Sequence, residues 1–268
     1  MKNVVITGST RGIGFGMASA FLERGCSVVI SGSKPENVER ALEMLRDQNA
    51  AGRVYGHTCD VRDAAQVRSL WCNAREDLDC IDIWINNAGV NTSPGMIWES
   101  STLDTEKVVA TNILGVVYGS QVAFQEMLDQ GFGAIYNTEG MGSDGSIRAG
   151  MILYGTTKCA VSYFTRGLVK EAKGKPIVIG TLSPGMVITD LITDAYRGKP
   201  GEWDRVKRIF NIIADRVENV APWLVDQILR NSRTGVRIRR SSRLRLMLRF
   251  LCAPFSKRDI VGDIEIQD

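Results

Sequence analysis

Val4-Val5-Ile6-Thr7-Gly8-Ser9-Thr10-Arg11-Gly12-Ile13-Gly14 is the stretch that decides how this chain is read. Three β-branched residues in a row favour a strand. The glycines that follow allow a tight turn in which backbone can approach a ligand closely. From Gly14 to Glu23 the apolar spacing becomes helical. A helix opening on such a turn presents free N–H groups and its positive dipole end, which suit a pyrophosphate. Gly8, Ser9, Thr10, Arg11, Gly12, Ile13 and Gly14 are therefore candidate binding residues.

The same rhythm continues downstream. Strands are expected at 3–6, 27–31, 54–57, 81–85, 133–137 and 176–182, with helices near 14–23, 35–48, 64–75, 104–130 and 156–172. Continuous apolar strands, each followed by a helix, predict an α/β fold: a doubly wound, Rossmann-like parallel sheet covered on both faces. No repeat or Pro/Gly/Ser linker interrupts residues 1–236, which read as one domain with a helical lid at about 190–230. Residues 237–268 read as a basic amphipathic tail.

Composition narrows the class. The chain has 268 residues, 44% hydrophobic and 24% charged, the profile of a globular protein rather than a disordered or fibrous one. No run approaches 18 consecutive apolar residues, so no spanning helix is expected. The six cysteines show no C-x-x-C spacing and read as buried reduced thiols. Met1-Lys2-Asn3 leads straight into a strand, leaving no room for a leader, so a cytoplasmic location is expected. Net charge is +3, yet Arg230–Arg258 holds ten basic residues and no acidic one, so the rest of the chain is acidic. His57 is the only histidine and reads as structural; no metal site is expected.

Specific motifs follow in order. The glycine turn has the spacing T-G-x-x-x-G-x-G; Asn86-Asn87-Ala88-Gly89 follows the fourth strand; Asn112 lies on a long helix. Tyr154-Gly155-Thr156-Thr157-Lys158 is a Y-x-x-x-K, and Ser183-Pro184-Gly185-Met186-Val187-Ile188-Thr189 a P-G-x-x-x-T. Together they resemble the short-chain dehydrogenase/reductase family across residues 7–189. The resemblance implies an oxidoreductase acting on a C=O/CH–OH pair. It sets Asp60 and Val61 beside the adenine, Asn86, Asn87, Ala88 and Gly89 along the ribose, and Pro184, Gly185, Val187 and Thr189 at the nicotinamide.

At the end of the second strand, where an NAD-binding protein usually carries an acid, stands Ser31-Gly32-Ser33-Lys34. Ser33, Lys34 and Arg11 suit a 2′-phosphate, so NADP(H) is the expected cofactor. Tyr154 and Lys158, four apart, share a helix face. A phenol titrates near pH ~10, and a neighbouring ammonium should lower that value. Tyr154 would donate the proton and Lys158 would also bind the ribose hydroxyls; the family resemblance implies that Asn112 supports a proton relay. The family's N-x-S-S is replaced by Asn137-Thr138-Glu139-Gly140-Met141-Gly142-Ser143. Either the carbonyl-polarising hydroxyl is lost or Ser143 supplies it, with Thr138 and Ser146 as lesser candidates.

That departure is itself informative. Asn137–Gly145, Tyr154–Lys158 and Ser183–Leu191 resemble the chlorophyll b reductase branch of the family. This implies reduction of a formyl group on a large, flat, apolar substrate to hydroxymethyl. The alternatives are reduction of 3-oxoacyl, steroid or sugar carbonyls, or, in another class, an NADP(H)-binding regulator with little turnover. Trp203 and Phe210 are candidate pocket residues. The tail admits docking on the body, an oligomer contact or a peripheral membrane contact; no binding fold accompanies it for nucleic acid. A homo-oligomer is expected from the family.

Overall fold

In the computed structural model, which describes residues 1–48, 51–92, 94–196, 198, 200–241, 243–253 and 258–262, strands and helices alternate as the periodicity requires. The first half comprises β1 (Asn3–Ile6), α1 (Gly12–Glu23), β2 (Ser27–Gly32), α2 (Pro35–Arg46), β3 (Val54–Thr58), α3 (Ala64–Leu78) and β4 (Ile83–Asn86). Then come α4 (Thr102–Val109), α5 (Gly115–Gln130), β5 (Gly133–Thr138), α6 (Ile152–Glu171) and β6 (Ile177–Ser183). The last part holds α7 (Asp190–Thr193), α8 (Pro200–Ile213), α9 (Val217–Arg230), β7 (Val236–Arg239) and α10 (Arg243–Cys252).

Among the described residues the sheet has seven strands in the order β3-β2-β1-β4-β5-β6-β7, and every pairing is parallel. One face buries Val4, Ile6, Met17, Phe21, Leu224 and Val225 beneath α1 and α9. The other buries Val5, Val67, Trp71, Trp84, Val122 and Ile135 beneath α3 and α5. The strand order reverses between β1 and β4, so a crevice opens at their carboxyl ends, where ligands bind in such folds.

Four differences from the sequence reading have physical causes. The expected helix 104–130 is α4 and α5 joined by a π turn at Ala110–Leu114, which apolar spacing does not reveal. By length and mean hydropathy the run Thr102–Gln130 could cross a bilayer, but Val116, Val122, Ala123 and Met127 are buried. The sheet continues beyond residue 236: β7 pairs with β6, Ile238 opposite Leu182. Arginines alternate with its apolar residues, as on an edge strand, which gives the segment the composition of a basic tail. Trp203 and Phe210 do not line a pocket. They are 2% and 3% exposed and pack with Tyr196, ring centres 5.5–6.1 Å apart, in the lid's own small core. Of the cysteines, Cys26 and Cys59 are buried, while Cys72, Cys159 and Cys252, on helix faces, are exposed.

Candidate active site

The glycine turn closes the crevice from the β1 side. Gly8 (φ +60°) approaches β4's loop so closely that a Cβ there would sit 2.6 Å from Ala88 Cα. A Cβ at Gly14 would sit 2.5 Å from Asn87 Nδ2. Asn87 itself clamps the turn, donating from Nδ2 to the carbonyls of Thr7 (3.1 Å) and Gly8 (3.0 Å). Thr189, after β6, lies over Gly12, where a Cβ would be 3.4 Å from its methyl. The turn, the Asn87–Gly89 loop and the Pro184–Thr189 loop thus meet at one rim, as the motifs require. Asn86 does not join them: it is buried, accepting from Trp84 Nε1 and donating to Asn137 and Ser120.

The rim fits a dinucleotide. Helix α1 has no side-chain cap and no acid in its first turn, so its N-terminal N–H groups suit a phosphate. Ser33 and Lys34 are exposed at the end of β2, and the first acid after them is Glu36 in the opening turn of α2. Arg11 is already engaged by Asp190 (3.2 Å) and Asp194 (3.3 Å) beside the lid. Asp60 is gripped by Arg62 through both carboxylate oxygens, which holds its carboxyl below the usual range. Val61 is buried against Gly115.

Tyr154 and Lys158 come together in the first turns of α6, with Lys158 Nζ 5.8 Å from the centre of the Tyr154 ring. Lys158 is 4% exposed and donates to the Thr138 carbonyl at 3.1 Å. Burial pulls its ammonium down to about 8, and the Glu139 carboxylate acts in the opposite sense. The Tyr154 phenol, partly open to the cleft, is pushed by burial up to about 12. The expected lowering by Lys158 is therefore outweighed in the protein alone, because the ammonium points at a carbonyl rather than at the phenol oxygen.

Asn112 sits in the π turn, fully buried. Its Oδ1 accepts from Val90 N–H at 2.8 Å, and its Nδ2 donates to the Val90 carbonyl and to Thr157 Oγ1. Atoms of Asn112 and Lys158 converge over Gly89, where a Cβ would be 3.5 Å from Asn112 Oδ1 and 3.6 Å from Lys158 Nζ. π turns often mark functional sites.

Ser143 is engaged within its own loop. Its hydroxyl accepts from Gly140 N–H (3.0 Å) and donates to the Lys158 carbonyl (3.2 Å), bracing the loop onto α6. Ser146 is exposed; Thr138 Oγ1 is buried without a hydrogen-bond partner among the described residues. At Gly140 a Cβ would lie 2.5 Å from the Tyr154 hydroxyl, so the absent side chain makes room for the phenol.

Two features escaped the sequence reading. Glu139, its side chain 3% exposed, accepts from Arg237 Nε on β7 at 2.7 Å. Nothing local signals a pairing across 98 positions. Met96, Ile97, Trp98, Ile147 and Ile152 expose large apolar side chains, Trp98 to 78%. Their loops join beside α6 through the Gly95 N–H on the Gly150 carbonyl, 3.1 Å. A loop run of Met96-Ile97-Trp98 was the available hint.

Comparison with known proteins identifies the family. The short chain dehydrogenase family model matches residues 2–199. Chlorophyll(ide) b reductase NOL of Arabidopsis thaliana is 39% identical over 231 residues, covering 84% of this chain and 65% of that protein. The chain spans between 47% and 66% of the length of the chlorophyll(ide) b reductases it matches. A 3alpha-hydroxysteroid dehydrogenase of Mediterraneibacter gnavus is 33% identical over 71% of this chain and 76% of its own. The crystal structure of an actinorhodin polyketide ketoreductase with NADPH superposes with TM-score 0.79 at 23% identity, over 89% of this chain and 95% of that one, a likeness of fold. With three quarters of its length matched by the model and the five motifs assembled at one rim, this chain belongs to the short chain dehydrogenase family.

Proposed function

We propose that this protein is an NADPH-dependent carbonyl reductase whose substrate carries a formyl group on a large apolar body, reduced to hydroxymethyl. The observation that carries the reading is the convergence of Tyr154, Lys158 and Asn112 at the mouth of the β1–β4 crevice. When bound, the cofactor supplies a hydride for the carbonyl carbon. Tyr154, kept protonated by burial, gives its hydroxyl proton to the carbonyl oxygen. Lys158 holds positive charge beneath the phenol as that proton leaves, and Asn112 orders the polar atoms through which it is replaced. Gly140 leaves the space in which the phenol stands.

Two observations support the finer reading. The chlorophyll(ide) b reductases share up to 39% identity with this chain. The exposed apolar rim of Met96, Trp98 and Ile147 would meet a broad apolar molecule but is unnecessary for a small one. The identity with a 3alpha-hydroxysteroid dehydrogenase favours a steroid carbonyl as the second reading.

The test is NADPH oxidation with product analysis on chlorophyllide b, run beside a steroid ketone, small aldehydes and NADH. The expected result is hydroxymethyl product with NADPH, and a loss of about 10²–10⁴-fold in Tyr154→Phe with cofactor affinity retained. Turnover confined to steroids or small carbonyls would withdraw the formyl substrate. Tight NADPH binding without turnover of any carbonyl would make the protein a regulator.

A further inference from the structure

Helix α10 wears its apolar face outward. Leu244, Met247, Leu248 and Leu251 fall at i, i+3, i+4 and i+7, which is one stripe of a helix. All four face solvent, 61%, 55%, 50% and 66% exposed, with Phe250 at 52% beside them. The side turned to the protein is held by charge instead. Arg249 donates to the Ile213 carbonyl and to both oxygens of Asp215, each at 2.9 Å. Arg258 donates to the same carboxylate at 2.9 Å. The helix is thus fastened by an arginine while its apolar stripe has no cover among the described residues.

The segment that carries the stripe is one-signed in sequence. No acidic residue occurs from Arg230 to Arg258, against ten basic ones. Between α8 and α10 opens a cavity of about 980 Å³, lined by Asp204, Lys207, Arg208, Ile212, Leu248 and Phe250 among others, with Lys207 paired to Asp204 at 3.3 Å.

We propose that α10 is a docking surface for an anionic lipid bilayer. Leu244, Met247, Leu248 and Leu251 enter the boundary between head groups and acyl chains, and the surrounding arginines meet lipid phosphates. A second copy of the chain is the poorer occupant. A two-fold contact through α10 lays the same acid-free, arginine-rich segment against itself, so like charges meet where the apolar stripes would join. The inference stands on α10 alone and does not depend on the carbonyl chemistry.

The experiment is co-sedimentation of the full chain with vesicles of phosphatidylcholine alone and of phosphatidylcholine mixed with phosphatidylglycerol. Binding is expected on the mixed vesicles, weaker in high salt. Leu244→Ser/Leu248→Ser/Leu251→Ser should partition at least about tenfold less, with NADPH affinity unchanged as the sign that the fold is intact. Should the triple variant fail to fold, Leu251→Gln alone, at the most exposed of these positions, should still lower partitioning severalfold. Equal binding to both vesicle types, no binding by the unaltered chain, or unchanged binding by the variants would overturn the proposal. So would a dimer in sedimentation equilibrium that the variants dissociate while vesicles leave it untouched, which would assign the stripe to self-association.

Discussion

At the scale of single residues, the site turns on what surrounds Lys158. Burial draws its ammonium down to about 8 while Glu139 opposes the fall. Tyr154 and Glu139 are the titratable groups facing it, with Arg237 behind Glu139. Reduction needs the charged lysine and the protonated phenol, so the rate should fall as pH rises through about 8. Glu139→Gln removes the charge that holds Lys158 protonated. The alkaline limb should then move to lower pH, and a titration of the lysine signal by NMR should move with it; an unmoved limb would contradict the assignment. Gly140→Ala places a methyl 2.5 Å from the Tyr154 hydroxyl, so kcat should drop by roughly tenfold or more, as misplaced reacting groups do, while cofactor affinity stays. Ser143→Ala separates a loop brace from a carbonyl donor. Loss of a loop brace should cost ~1 kcal/mol in denaturant unfolding and change kcat little, whereas a carbonyl-polarising hydroxyl would show a large kcat loss at unchanged stability.

Elements explain what could and could not be read in advance. The glycine turn, six strands and the Tyr154–Lys158 helix are local patterns, each carried by neighbouring residues. The π turn under Asn112 involves no unusual composition. Ser143 has the right chemistry within sight of Tyr154, but its partners are decided by how the loop folds onto α6. β7 hides because Val236-Arg237-Ile238-Arg239 buries one residue of four, Ile238, as an edge strand does. Its Arg237 nonetheless supplies the counter-charge for Glu139, a pairing that depends on the β6–β7 register. Arg237→Met strands a buried carboxylate, a change that typically costs ~3–5 kcal/mol. Here the guanidinium is 37% exposed, so the loss should be near ~2–3 kcal/mol. Adding Glu139→Gln should recover most of it, and thermal melts of the two single variants and the double variant close that cycle.

The whole molecule is an all-parallel sheet whose late segments fold back over its early ones. Arg11 of the first turn meets Asp190 and Asp194 more than 170 positions later, and Asp215 gathers Arg249 and Arg258 from the far end of the chain. Asp215→Asn removes the shared charge, so limited proteolysis should cut after about residue 240 far sooner than in the unaltered protein, with the sheet left intact. The Glu139–Arg237 pair has a consequence for synthesis. β5 leaves the ribosome about a hundred residues before β7, so for that interval the nascent chain holds an acid whose hydrogen-bonded guanidinium does not yet exist, with Lys158 as the cation already made beside it. A chain cut short before residue 237 would close its sheet around a carboxylate that lacks its hydrogen-bonded partner. Incomplete copies would therefore be lost to quality control as unstable protein, rather than persist as binders that occupy cofactor without turning it over.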